Sequence, residues 1–175
     1  MKRLFDLCLG FSIAMFLLLP VVFVAVAVRL TSQGPALYWS DRVGRDNHIF
    51  RMPKFRSMRV GTPALATHLL QDPNAYLTPI GSFLRKSSLD ELPQFINVLK
   101  GEMSVVGPRP HMISVDDHYK QKIGRYSLRS LVNPGITGLA QVNGLRGDDG
   151  NVEVQMNKRV LADAFYVRNW SFVLD

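Results

Sequence analysis

A chain of 175 residues with 47% hydrophobic composition accommodates one ordinary domain plus an anchor, because the apolar residues gather at its N-terminal end. The single cysteine, Cys8, excludes an intramolecular disulfide and a cysteine zinc site, and its place in the apolar run makes it a small membrane-facing hydrophobe. The net charge of +7 favours anionic lipids and phosphorylated substrates, while the absence of aromatics interleaved with the bases, and of helix-turn-helix or RNA-recognition signatures, argues against nucleic acid.

The first element is the uncharged run from Leu7 to Val28. At about 1.5 Å per residue its helix reaches roughly 33 Å, enough to cross a bilayer core. Pro20 opposes a straight helix, since it removes a backbone hydrogen bond and collides with the carbonyl of Phe16, so a kink or a full turn is expected there. Lys2 and Arg3 precede the run, and from Arg29 to Arg59 seven bases face two acids. The positive-inside rule then keeps both flanks in the cytoplasm, as a re-entrant helix-break-helix does. A kinked spanning helix, a buried core helix and a signal peptide are the competing readings; the last fits poorly, because the apolar run is too long and Arg29 follows the Ala25-Val26-Ala27 site at once. The resulting division is an anchor over 1–33 and a globular domain over 34–175.

Gly34-Pro35 breaks the chain after the anchor. Ala36 to Ser40 reads as a short strand with aromatics at headgroup level, and His48 to Met52 as a second strand. From Gly61 to Pro79 the composition suggests a surface loop able to act as a lid. Leu92, Phe95, Ile96 and Leu99 fall at helical spacing and predict a short amphipathic helix with one buried face. Met103 to Val106 predicts a strand. Val115, Tyr119, Ile123 and Tyr126 recur at helical spacing as core contacts, and Leu139 to Val142 is strand-like after the Asn133–Gly138 turn cluster. In the last helix Met156, Val160, Ala164 and Val167 share a face, with Leu161 and Phe165 expected to help cover the core. The fold class is α+β: a small, mostly helical domain with short strands behind the apolar anchor.

Asp90 and Glu91 begin the short amphipathic helix, since Pro93 is tolerated only in a first turn. Ser88 and Glu91 fit a capping box, so structure alone explains the two acids. It does not explain Arg85 and Lys86 just upstream, or Arg109 downstream between Pro108 and Pro110. Arginine presents a planar fork suited to phosphate oxygens, and the flanking prolines lower the entropy lost when it grips a ligand. The sequence contains no P-loop, dinucleotide fingerprint, H-E-x-x-H or nucleophile elbow, which leaves arginines and a metal to hold phosphate. His48, His68, His111 and His118 stand in polar surroundings and read as surface histidines, with His111 alone beside the acid–arginine constellation.

Lys2-Arg3-Leu4-Phe5-Asp6, Lys54-Phe55-Arg56-Ser57-Met58, Ser88 to Pro93, Gly107-Pro108-Arg109-Pro110 and Pro134-Gly135-Ile136-Thr137-Gly138 occur in an order that resembles the bacterial sugar transferases, the monotopic phosphoglycosyl transferases. Asn143 to Gly147 and the ending Tyr166 to Ser171 look like the branch that transfers glucose 1-phosphate or a related hexose phosphate to undecaprenyl phosphate. The resemblance implies a ping-pong reaction. The carboxylate matching Asp90 attacks the sugar-side phosphate of a UDP-sugar, UMP leaves, and undecaprenyl phosphate takes the phosphosugar. It also implies Mg2+ at Asp90. Arg85, Arg109 and Arg146, with Lys54 as a fourth, are the candidates for phosphate contacts, a structural ion pair being the alternative for each, and Glu91 is read as positioning or activating the second phosphate. The expected setting is the bacterial inner membrane, with the catalytic domain facing the cytoplasm at the start of exopolysaccharide, capsule or lipopolysaccharide synthesis; self-association is left open. By the same resemblance, the chain is expected to end earlier than family members usually do, and to correspond to a catalytic core without the extra spanning helices of larger relatives. A non-catalytic membrane scaffold of a glycan assembly complex is the competing function, and it predicts no metal-dependent release of UMP.

Overall fold

The computed structural model describes residues 2–63, 70, 72–145 and 151–175 and mixes helix with strand. Helix α1 (Lys2–Thr31) is followed by an antiparallel hairpin of β1 (Leu37–Val43) and β2 (Ile49–Phe55). The hairpin reverses through Arg45–Asn47, where Asp46 and Asn47 take φ of 53° and 61°, a left-handed conformation that short polar side chains tolerate. Among the described residues β2 has no strand on its other side, so Pro53 interrupts no ladder there. Short helices α2 (Gly81–Ser87) and α3 (Phe95–Lys100) flank a 3-10 segment at Leu89–Gln94. Then come β3 (Ser104–Val106), α4 (Ile113–Lys122), a 3-10 segment at Tyr126–Leu131, β4 (Gly135–Thr137), α5 (Leu139–Val142) and α6 (Val152–Arg168).

β3 and β4 pair in parallel, Ser104 with Gly135 and Val106 with Thr137. This pairing presses the Gly107-Pro108-Arg109-Pro110 loop against the Pro134–Gly138 segment. A Cβ on Gly135 would lie 2.1 Å from the backbone nitrogen of Gly107, and one on Gly138 would lie 2.1 Å from its carbonyl oxygen. Only glycine lets two backbones approach so closely.

Three apolar clusters hold the elements together. Val24 and Val28 of α1 meet Phe55 and Leu84; Phe50 and Met52 meet Val98 and Met103; Tyr119 and Tyr126 meet Met156 and Val160. The last confirms the helical spacing of Val115, Tyr119, Ile123 and Tyr126, carried by α4 and the 3-10 segment behind it.

Pro20 lies inside a single helical element, Lys2–Thr31, so the chain does not part into two separate helices there; proline withdraws one N–H from the ladder, which bends a helix without ending it. Both ends of α1 rest on the same domain. At the N-terminal end the Asp6 carboxylate accepts from Ser104 Oγ (2.9 Å) and from the Val105 N–H (3.0 Å), Arg3 donates to the carbonyls of Val98 and Leu99, and Lys2 pairs with the buried Asp175 carboxylate. At the C-terminal end Arg56 donates to the carbonyls of Ser32, Gln33 and Gly34. Between them Phe16 and Leu19 are 83% and 78% exposed, an apolar surface with no protein cover among the described residues.

Further expectations are corrected. Leu139–Val142 is helical, since Gly138 opens a turn in which Gln141 and Val142 both donate to its carbonyl. Ile96, Leu99, Leu161 and Phe165 are exposed; the buried positions of α3 are Asn97 and Val98, because the 3-10 turn ahead of it rotates the helix relative to an ideal continuation. The 61–79 segment is described only in part, and contains a 3-10 turn at Pro73–Tyr76 capped by Asp72.

Candidate active site

The acid pair lies on the 3-10 segment Leu89–Gln94, entered through Ser88 in a left-handed conformation (φ 59°). Ser88 ends α2 and supplies no side-chain cap to the segment, so the capping box does not form. The Glu91 side chain is instead drawn across the fold. Its Oε1 accepts from Lys54 Nζ on β2 (3.0 Å) and from Arg109 Nη2 (2.5 Å), and its Oε2 from Arg109 Nη1 (3.1 Å). The arginine contact is a two-pronged fork, the strong form of a charge-assisted pair. Burial alone would push Glu91 up, but these donors and their charges hold its carboxyl well below the usual range.

Asp90 faces a different environment. It is equally buried, yet its Oδ1 has no hydrogen-bond partner among the described residues. Burial pushes its pKa up, with the Glu91 charge adding to the effect, against the attraction of Lys54, Arg85 and Arg109. Two neighbouring acids thus diverge: one is spent on holding cations, and the other is desolvated and open. Burial also lowers Lys54 to about 8, Arg109 repelling its charge and Glu91 partly restoring it. Arg85 is steadied by Ser57 Oγ (3.1 Å) and Met58 Sδ (3.4 Å) at the same wall.

These groups line a cavity of about 890 Å3 that runs from Pro35 and Leu37, beside the end of α1, to Tyr119 and Met156. Asp90, Glu91, Lys54, Arg85 and Arg109, all expected from the sequence, come together here. Arg146, the remaining expected phosphate ligand, lies outside the described residues, as does His68. Arg42, Arg129, Arg159 and Asp163 also line the cavity and were not anticipated. The signal for Arg42 was present: Tyr38, Ser40 and Arg42 alternate on β1, and Tyr38 pairs with Lys54, so period two puts Arg42 on the lysine's face of the hairpin. Nothing local marked Arg129 or Asp163. His111 is a correction: it is buried, with Nδ1 2.6 Å from Tyr126 Oη, and burial with the nearby Arg129 charge holds it neutral, well below its ordinary pKa.

A resident metal finds little here. No three His, Cys, Asp or Glu side chains gather to hold one among the described residues. The open Asp90 oxygen suits a hard cation that takes one carboxylate from the protein and its remaining ligands from water and substrate phosphates, the usual habit of magnesium.

A long apolar helix compatible with membrane association leads into a cleft in which a buried, unpartnered carboxylate oxygen stands among fixed cations. The family model for bacterial sugar transferase matches residues 1–175, and the chain belongs to that family. It is 46% identical over 175 residues to a UDP-glucose:undecaprenyl-phosphate glucose-1-phosphate transferase of Klebsiella pneumoniae, covering 99% of this chain and 37% of the relative. A protein of the same name from Caulobacter vibrioides is 39% identical over 174 residues, covering 99% of this chain and 65% of that one. An exopolysaccharide production protein of Rhizobium leguminosarum bv. phaseoli is 39% identical over 181 residues, covering 100% and 89%. The chain therefore spans little more than a third of the Klebsiella relative and most of the Rhizobium one.

Proposed function

We propose that this chain transfers a sugar 1-phosphate, glucose 1-phosphate or a related hexose phosphate, from a UDP-sugar to undecaprenyl phosphate, at the start of surface polysaccharide or glycoconjugate synthesis. The observation that carries the reading is the unpartnered, buried Asp90 oxygen set among Lys54, Arg85 and Arg109. In the first half-reaction that oxygen attacks the sugar-bearing phosphorus, and the bond from this phosphorus to the bridging oxygen breaks, so UMP departs with the oxygen. In the second, a phosphate oxygen of the lipid attacks the same phosphorus and frees the Asp90 carboxylate. Splitting the transfer spares the cleft from holding two polyanions at once.

Arg85 and Arg109 receive the diphosphate oxygens, with Arg146 as a further candidate, and Lys54 supplies a positive charge beside them. Glu91 is assigned to fixing Lys54 and Arg109, on the strength of its three short contacts. Mg2+ bound at Asp90 and the diphosphate would neutralise charge on the departing nucleotide. The attachment of both ends of α1 to one domain supports a re-entrant anchor over a spanning helix, because a span would carry one end across the bilayer. With basic flanks on both sides, the domain then faces the cytoplasm at the bacterial inner membrane.

The test is Asp90→Asn in a membrane preparation supplied with UDP-sugars, Mg2+ and undecaprenyl phosphate. Loss of UMP release and of the phosphosugar mass adduct, with membrane association retained, is the expected outcome. An adduct that persists in the variant removes Asp90 as the nucleophile. Absence of metal-dependent UMP release from the unaltered protein favours the scaffold.

A further inference from the structure

Behind Arg109 lies a buried polar cluster that the transfer chemistry leaves unused. Arg129, on the 3-10 segment Tyr126–Leu131, is 7% exposed at its side chain and engages the Arg109 loop at two points. Its Nη2 donates to the carbonyl oxygen of Arg109 itself at 2.6 Å. Its Nη1 meets the His111 ring and donates to Tyr126 Oη at 3.1 Å. Because a guanidinium only donates, the His111 nitrogen it contacts must be an acceptor, consistent with a neutral ring. The two residues flanking Pro110 are thus gripped by one side chain.

The nitrogen that holds the Arg109 carbonyl also forms an ion pair with α6. Asp163 Oδ2 lies 3.1 Å from Nη2, and that carboxylate is almost fully buried. From the opposite side the same loop is tied to the hairpin, where the Val43 N–H donates to the His111 carbonyl (3.2 Å) and Arg42 bridges Met112. Among the described contacts Arg109 touches Glu91 only through its side chain, so the place of its fork depends on where its backbone is held.

We propose that Arg129, anchored by Asp163, is a positioning residue that fixes the Arg109 fork at the acid pair by holding the backbone on both sides of Pro110. Its effect on turnover rests on the phosphosugar transfer proposed above; its effect on the loop does not. A small misplacement of a phosphate-holding group costs on the order of a hundredfold in rate without altering the chemistry.

The experiment joins hydrogen exchange with kinetics on the full chain, comparing the unaltered protein with Arg129→Gln and with the milder Asp163→Asn. The expected result is faster amide exchange, on the order of tenfold, in the peptide carrying residues 107–112, with the β1–β2 hairpin unchanged. UMP release should then show kcat lower by roughly ten- to a hundredfold and a donor KM within about threefold. If Arg129→Gln does not fold, Asp163→Asn decides by the same readings. Unchanged exchange over 107–112 overturns the proposal, as does equal acceleration in the hairpin, which marks global loosening, or a loosened loop with normal kcat. An unaltered protein that releases no UMP sinks the transferase reading, while the exchange comparison still decides whether Arg129 holds the loop.

Discussion

Asp90 and Glu91 are adjacent in sequence and equally buried, yet the fold gives them opposite energetics. Removing the Glu91 charge leaves Lys54 and Arg109 uncompensated in a poorly hydrated wall, which costs about 3 kcal/mol for a buried pair, or a melting temperature lower by roughly 6 to 12 °C. Asp90→Asn removes a desolvated charge, so it should leave the melting temperature unchanged or raise it. Thermal unfolding of the two single variants checks the contrast; equal losses would show that both acids serve as structural ion pairs. The pH dependence follows. Because the folded Glu91 carboxyl lies below its unfolded value, its contribution is complete above the ordinary carboxylate range and drains away as pH falls below it, a window that Glu91→Gln should abolish. Lys54 titrates at the other end. It is cationic below about 8 in the free protein, so kcat/KM for the donor should fall as pH rises through that value, and Lys54→Arg should move the fall upward. A flat profile between pH 7 and 10 would show that the lysine charge takes no part in donor capture.

At the scale of elements, α1 is the part whose placement matters most. Its N-terminal end is held by Asp6, which accepts from a hydroxyl and a backbone N–H of β3. Asp6→Ala strands both donors, at a cost of about 1 to 3 kcal/mol, and should release the first turns of the helix. Trypsin cleavage after Arg3 reads this directly: faster cutting in the variant is expected, and equal rates would assign the hold to the Lys2–Asp175 pair and the Arg3 contacts instead. The apolar length and basic flanks of α1 could be read from composition, and the strand character of 36–40 and 48–52 from their aromatic and β-branched residues, whereas the pairing of β1 with β2 is given by the fold. Leu139–Val142 could not, because four residues carry too little periodicity to separate helix from strand, and Gly138 decided the matter. The buried face of α3 was misjudged for a related reason: Pro93 and its neighbours form a 3-10 turn, which shifts the angular positions of Ile96 and Leu99 out of the core.

Across the whole molecule, the candidate site is assembled from segments far apart in the chain, and this limited what the sequence disclosed. The acids, Arg85 and Arg109 were legible because they sit in compact motifs with telling neighbours. His111, Tyr126, Arg129 and Asp163 were not, because burial and mutual contact make their chemistry, and those arise only when α4, the following 3-10 segment and α6 close over the Pro108–Pro110 loop. The same assembly bears on the metal. Glu91 is occupied by two cations, so Asp90 is the open carboxylate of the pair, and one carboxylate is a poor cage for magnesium. Magnesium alone should therefore shift the melting temperature by less than about 1 °C, since a ligand stabilises only as far as its concentration exceeds its dissociation constant. Magnesium with a UDP-sugar should stabilise more than the nucleotide sugar alone, because the diphosphate completes the coordination shell. Chelation should stop UMP release without unfolding the protein. A large shift from the metal by itself would point to further ligands beyond Asp90, and would move the metal from a companion of the substrate to a fixture of the fold.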